Sequence, residues 1–98
     1  MFLMDTFNIY TNEAEIKKEK MKARELRRTR WWREKLQKRL CEYCGKTFPL
    51  AELTMDHIVP LIRGGKSVKN NIAVCCKGCN NSKKYSLLAE WNGYINRS

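Results

Sequence analysis

The residues able to do chemistry lie between Cys41 and Lys84. Two CxxC pairs, Cys41-Glu-Tyr-Cys44 and Cys76-Lys-Gly-Cys79, are separated by 31 residues. Between them stand Asp56-His57-Ile58-Val59-Pro60, Gly64-Gly65 and Asn70-Asn71. Directly after them comes Asn80-Asn81-Ser82-Lys83. Thiolates at i and i+3 can reach one tetrahedral metal across a tight turn, and two such pairs complete a four-ligand set. Cys41, Cys44, Cys76 and Cys79 are therefore expected to hold a structural Zn2+, with disulfides or free thiols as the competing readings. Gly45 suits the first turn because it tolerates positive φ. A staple of this kind does not by itself imply function, since binding modules use it too. Cys75 reads as a small buried thiol on a strand, although its place beside Cys76 leaves alternative ligation open.

A second site is expected around His57, the only histidine in the chain. A lone histidine beside an apolar strand is more often structural. Here an acid precedes it and an asparagine follows the second CxxC. A zinc joining the two turns would draw the strand carrying Asp56 and His57 toward the helix start carrying Asn80. The oxygen ligands Asp56 and Asn80 suit a hard cation, Mg2+ or Mn2+. Two protein ligands leave positions for water and a phosphate oxygen. An imidazole with a pKa near its ordinary value of about 6.5 can take a proton from water at neutral pH.

The surrounding elements must position these groups. Residues 1–12 read as an N-terminal arm, with Asn12 and Glu15 placed as an N-cap and its acid partner. From Glu13 to Leu40 there is neither Gly nor Pro, and good helix formers dominate. The pattern predicts one long helix over 13–39, with an apolar stripe of Trp32, Leu36 and Leu40 flanked by Leu26. Ile16, Met21 and Ala23 fall off that stripe, so the N-terminal half is expected to project into solvent or onto another molecule. Three roles compete for this helix: packing, phosphate contact through Lys22, Arg24, Arg27, Arg28, Arg30 and Arg33, and a dimer arm. Of Trp31 and Trp32 only one is needed for the core. Phe48, Leu50 and Leu53 are expected to cover the zinc site. Residues 54–59 and 71–75 read as an antiparallel strand pair joined by a flexible polar loop. A final helix is expected from Asn80 to Trp91, closed by Gly93.

Ninety-eight residues permit one compact domain with an appended element. So small a core is marginal on apolar burial alone, and a structural metal would supply the shortfall. The net charge of +10 is concentrated, because residues 13–40 hold 12 basic and 5 acidic side chains. Such a segment points to a polyanion, with nucleic acid the commonest and anionic lipid the alternative. No secretory signal or apolar stretch of about 18 residues is visible. An intracellular, cytoplasmic protein with reduced cysteines is expected, with no membrane partner.

Taken together, Asp56-His57-Ile58-Val59-Pro60, Gly64-Gly65, Asn71, Cys76-Lys-Gly-Cys79-Asn80 and Lys83 resemble the HNH endonuclease family in order and spacing. The resemblance covers about residues 41–84. It implies a small α+β fold: a ββα-metal core stapled by the four-cysteine zinc site and preceded by the long basic N-terminal helix. The expected organisation is arm 1–12, basic helical extension 13–40, nuclease core 41–92 and tail 93–98. By the resemblance, His57 is the general base, Asp56 and Asn80 bind the catalytic Mg2+ or Mn2+, and Asn71 braces the loop and helps orient the base. An asparagine stands at 80 where many members have a final histidine. Arg63, Lys83 and Lys84 are candidates for clamping phosphates. The implied activity is hydrolysis of DNA phosphodiesters, giving 5′-phosphate and 3′-hydroxyl ends, with double-stranded substrate and weak sequence preference. A homodimer is one route to a double-strand break. The competing readings are a non-catalytic zinc-stabilised DNA-binding module and, more weakly, a zinc-stabilised protein adaptor.

Overall fold

The computed structural model describes residues 13–91. The arm 1–12, the Asn12 cap, the Gly93 helix end and the tail 93–98 lie outside the described residues. The predicted long helix is in fact two: α1 (Glu13–Leu26) and α2 (Arg30–Gln37). Thr29 makes the break. Its backbone is extended (φ −87°, ψ 157°) and its hydroxyl accepts from Trp32 N, capping α2. The same hydroxyl donates to Leu26 O at 2.7 Å and closes the end of α1. One threonine thus satisfies orphaned backbone groups on two helix ends, without any Gly or Pro.

Breaking the helix lets both halves pack. Trp32 is buried and Leu36 half-buried, but Leu40 is exposed. The N-terminal half does not project into solvent. Ile16, Glu19, Ala23 and Leu26 recur at helical spacing and face inward, with Glu19 and Ala23 fully buried. α1 lies against the 3-10 turn Leu61–Arg63.

The sheet is the antiparallel pair β1 (Leu53–His57) and β2 (Ile72–Cys76), in register from Leu53↔Cys76 to His57↔Ile72. All of β2 is buried, in keeping with its run of small and β-branched side chains. The connection between the strands is firmly held. Asn71 Oδ1 accepts from Val59 N at 2.9 Å, while its Nδ2 donates to Val59 O at 3.1 Å and Lys66 O at 2.9 Å. Gly65 sits against this knot, where an added Cβ would lie 1.8 Å from Val59 O.

The last helix, α3 (Lys77–Lys83), is shorter than expected and starts earlier. Lys84 leaves the helical region at φ 49°, and turns carry the chain to Trp91. Trp91 is buried edge-on to Tyr43, with ring centroids 5.3 Å apart, and its Nε1 donates to Ser82 Oγ. Around the cysteines, Leu53 is buried and Phe48 half-buried, whereas Leu50 is exposed. No described helix is long and apolar enough to cross a membrane.

Two substitutions test this layout. Thr29→Ala should lower stability by about 1 kcal/mol through loss of a cap. Gly65→Ala should lower it by about 1–3 kcal/mol, because backbone rather than a flexible side chain must move. Denaturant midpoints measure both, and a neutral Gly65→Ala would contradict the close approach at Val59.

Candidate active site

The four sulfurs of Cys41, Cys44, Cys76 and Cys79 lie within 4.8 Å of one another. Sulfurs around a tetrahedral zinc with bonds of about 2.3 Å stand about 3.8 Å apart, so the cluster fits Zn2+. Backbone N–H groups turn inward: Cys44 N donates to Cys41 Sγ at 3.4 Å and Cys79 N to Cys76 Sγ at 3.3 Å. Burial opposes ionisation of Cys41, yet hydrogen bonds from the backbone at Cys44, Cys76 and Tyr43 hold its thiol down at about 7. Burial pushes the Cys44 and Cys79 thiols up, a tendency that a bound dication reverses. Cys75 is fully buried outside the cluster, and burial together with the nearby Asp56 charge pushes its thiol up as well. It is a packed thiol.

Cys76 closes β2 opposite Leu53, and Cys79 sits in α3 beside Asn80. The cluster therefore fixes α3 against the sheet that carries Asp56 and His57. All three candidate residues, Asp56, His57 and Asn80, line one cleft of about 660 Å3. Asp56 is nearly buried. Its Oδ2 accepts from Tyr43 Oη at 2.7 Å and pairs with Lys83 Nζ at 3.1 Å. Burial, then the bond to Asp56, pushes the Tyr43 phenol far up, so it remains a donor. Lys83 Nζ also donates to His57 O at 3.1 Å, tying the two neighbouring residues of β1 to α3. The His57 ring meets Ser67 Oγ at 2.9 Å through Nε2. Burial lowers its pKa below 6.5, with Asp56 and Glu19 acting against this and Arg27 and Lys83 with it. Asn71 touches loop backbone with both ends of its amide, so it braces the segment that follows His57.

A sequence profile of the HNH endonuclease family matches residues 41–92. The chain belongs to the HNH endonuclease family. Its members are phosphodiester-cleaving nucleases, and both CxxC pairs, Asp56, His57, Asn71 and Asn80 fall within the matched span. The chain is also 36% identical over 52 residues to the CRISPR-associated endonuclease Cas9 of Corynebacterium diphtheriae. That alignment takes in 52% of this chain but only 5% of the Cas9 chain.

The basic residues of this HNH chain divide in two. Lys83, expected as a phosphate clamp, is fully buried against Asp56 and His57 and does not reach the surface. Arg63, expected in the same role, forks onto Glu90 with both bonds at 3.1 Å and also donates to Tyr85 O. It pins the turns after α3. Lys84 does line the main cleft. Arg24 and Arg27 line an adjoining hollow of about 350 Å3 that His57 shares. Arg28, Arg30 and Arg33 are exposed further along, with Arg33 Nη1 on Arg28 O at 2.8 Å.

Four residues at the site were not singled out from sequence. Lys20 lines both hollows beside His57. Tyr43, inside the first CxxC, reaches Asp56. Glu19 and Ser67 are buried behind the imidazole and bonded to each other. Only Glu19 carried a signal: it occupies the inward position between Ile16 and Ala23 in a repeat otherwise filled by apolar residues.

Two measurements follow from the site. Stripping zinc with a strong chelator should unfold the β1–β2–α3 unit and abolish the near-ultraviolet dichroism of the Tyr43–Trp91 pair. An unchanged spectrum and melting temperature would show that the thiols do not depend on metal. The lone imidazole gives a single set of NMR signals. Because its folded pKa is lowered, the neutral form should persist to lower pH, with a titration midpoint below 6.5. A midpoint above that value would contradict the burial of the ring.

Proposed function

We propose that this HNH chain is a divalent-metal-dependent DNA endonuclease, with His57 as general base and Asp56 and Asn80 as ligands of one Mg2+ or Mn2+. The observation that supports this best is the common cleft of Asp56, His57 and Asn80. Its donor set fits a hard cation. Both Asp56 contacts with Tyr43 and Lys83 use Oδ2, which leaves Oδ1 for a cation, and the Asn80 amide adds a second oxygen. When bound, the ion would polarise the scissile phosphate and stabilise charge on the departing 3′ oxygen.

The protein groups divide the remaining work. His57, neutral at pH 7, accepts a proton from water as that oxygen attacks phosphorus in line with the 3′ oxygen. The P–O3′ bond breaks, the departing 3′ oxygen takes a proton from solvent, and 5′-phosphate and 3′-hydroxyl ends remain. Tyr43 and Lys83 hold Asp56 in one orientation. Asn71 holds the end of β1 and so the place of the ring.

Double-stranded DNA is the favoured substrate. Lys20 and Arg24 of α1 and Arg27 just past its end line the hollows beside His57, and Lys84 lines the main cleft. Such a row suits successive phosphates, and Arg28, Arg30 and Arg33 extend the positive surface. In this division of labour residues 41–92 cut while residues 13–40 hold the backbone. Phosphate contacts position without reading sequence, so weak sequence preference is expected. One centre cuts one strand, and a double-strand break requires two copies or two successive nicks.

Nicking of supercoiled plasmid with Mg2+ or Mn2+ tests the reading, with zinc content measured in every variant. Wild type should convert the plasmid to open circles. His57→Ala, Asp56→Ala and Asn80→Ala should each lose at least about a hundredfold in rate while keeping zinc. Salt-sensitive DNA binding without cutting by the wild type would leave only the binding-module reading.

A further inference from the structure

His57, Ser67 and Glu19 form a hydrogen-bonded series running from β1 through the connecting loop to α1. His57 Nε2 stands 2.9 Å from Ser67 Oγ. Ser67 Oγ donates to the backbone O of Glu19 at 2.6 Å, and Ser67 N donates to Glu19 Oε1 at 2.6 Å. The proton positions follow from donor counting. A serine hydroxyl has one proton, and a carbonyl oxygen can only accept. The Ser67 proton therefore lies toward Glu19 O. Toward His57 the hydroxyl oxygen can then only accept, so Nε2 carries the hydrogen. In the neutral ring the lone pair is left on Nδ1.

We infer that Ser67 and Glu19 are positioning residues that lock His57 in its Nε2–H tautomer and make Nδ1 the basic nitrogen. Ser67 is 5% and Glu19 2% exposed, so bulk water does not compete for these bonds. The Ser67 N–H holds the Glu19 carboxyl below its ordinary range against the effect of burial, with Lys22 assisting at 3.5 Å. The series also gives α1 a role beyond its positive surface. Its buried face fixes the proton on the imidazole, while Lys20 and Arg24 of the same helix, with Arg27 just past its end, line the hollows His57 shares. A shift of α1 that parted Glu19 from Ser67 would free the hydroxyl to rotate and the ring to change tautomer. The role of Nδ1 as the atom that takes the water proton rests on the nuclease reading above; the tautomer does not.

The full zinc-loaded chain, labelled with 15N and free of DNA and Mg2+, gives the test. Long-range 1H–15N correlation above the imidazole midpoint should show a protonated Nε2 and a bare Nδ1. Ser67→Ala should shift both nitrogens toward the averaged values of mixed tautomers. It should also slow plasmid nicking by about tenfold or more through kcat rather than KM. Ser67→Thr and Glu19→Gln keep the hydroxyl and an acceptor oxygen, and should retain the wild-type pattern. A bare Nε2 in the wild type would overturn the inference, even if no variant folds. So would a Ser67→Ala protein with wild-type tautomer and rate. An inactive wild type showing a protonated Nε2 would instead sink the nuclease reading and leave the proton assignment standing.

Discussion

The convergence of four thiols is the constraint on which the rest of this structure depends. Cys41 and Cys44 lie on a turn, Cys76 ends β2 and Cys79 sits in the first turn of α3. With their sulfurs within 4.8 Å of one another, the turn, strand and helix have little freedom to separate. Metal binding free energy of this kind becomes folding free energy in a chain with a small apolar core. Its functional consequence is geometric. The same sulfur cluster that closes the core places Asn80 in one cleft with Asp56 and His57.

Around that staple the protein buries charge as well as apolar surface. Lys83 is wholly buried and Glu19 almost so. A buried charge is tolerated when it is paired and hydrogen-bonded, and both are. Lys83 meets Asp56 and the carbonyl of His57, while Glu19 meets Ser67 and Lys22. Removing one partner would strand the other charge in the interior. Each ends on a cleft residue: Lys83 on Asp56, and Glu19 through Ser67 on His57. The site is braced from α3 on one side and from α1 on the other.

The N-terminal segment thus packs against the cleft through one face and leaves a basic face beside it. Thr29 separates α1 from α2 and lets α1 lie along the turn Leu61–Arg63 with Glu19 inward and Lys20, Arg24 and Arg27 beside His57. Trp31 is half-buried against the core, with Lys35 and Lys69 over its ring at 5.1 and 5.6 Å. Of the adjacent tryptophans, Trp32 is fully buried in the core and Trp31 packs at its edge.

Much of the core was legible in the chain alone because its signals are local and stringent. Metal ligation demands particular residue types at i and i+3, so the two CxxC pairs identify their own partners. Strand pairing follows from short apolar runs bounded by Pro60 and by the Gly64-Gly65 turn. Asp56, His57 and Asn80 stand out for similar reasons of type and spacing, and Asn71 through the resemblance to the HNH family. What the tertiary structure alone decided concerns groups whose partners are remote in sequence. Lysine and arginine look alike as exposed cations until a fold sets some of them against carboxylates, which is why Lys83 proved internal and Arg63 is tied to Glu90 at the surface, while Lys84, Arg24 and Arg27 line the hollows His57 shares. A threonine within a run of helix formers carries no breaking signal by itself, and it acts as one here because α1 and α2 each bury a face. Glu19 and Ser67 lie 48 residues apart, and no local pattern could join them; only packing of α1 on the loop brings a carboxylate, a hydroxyl and an imidazole into one hydrogen-bonded line.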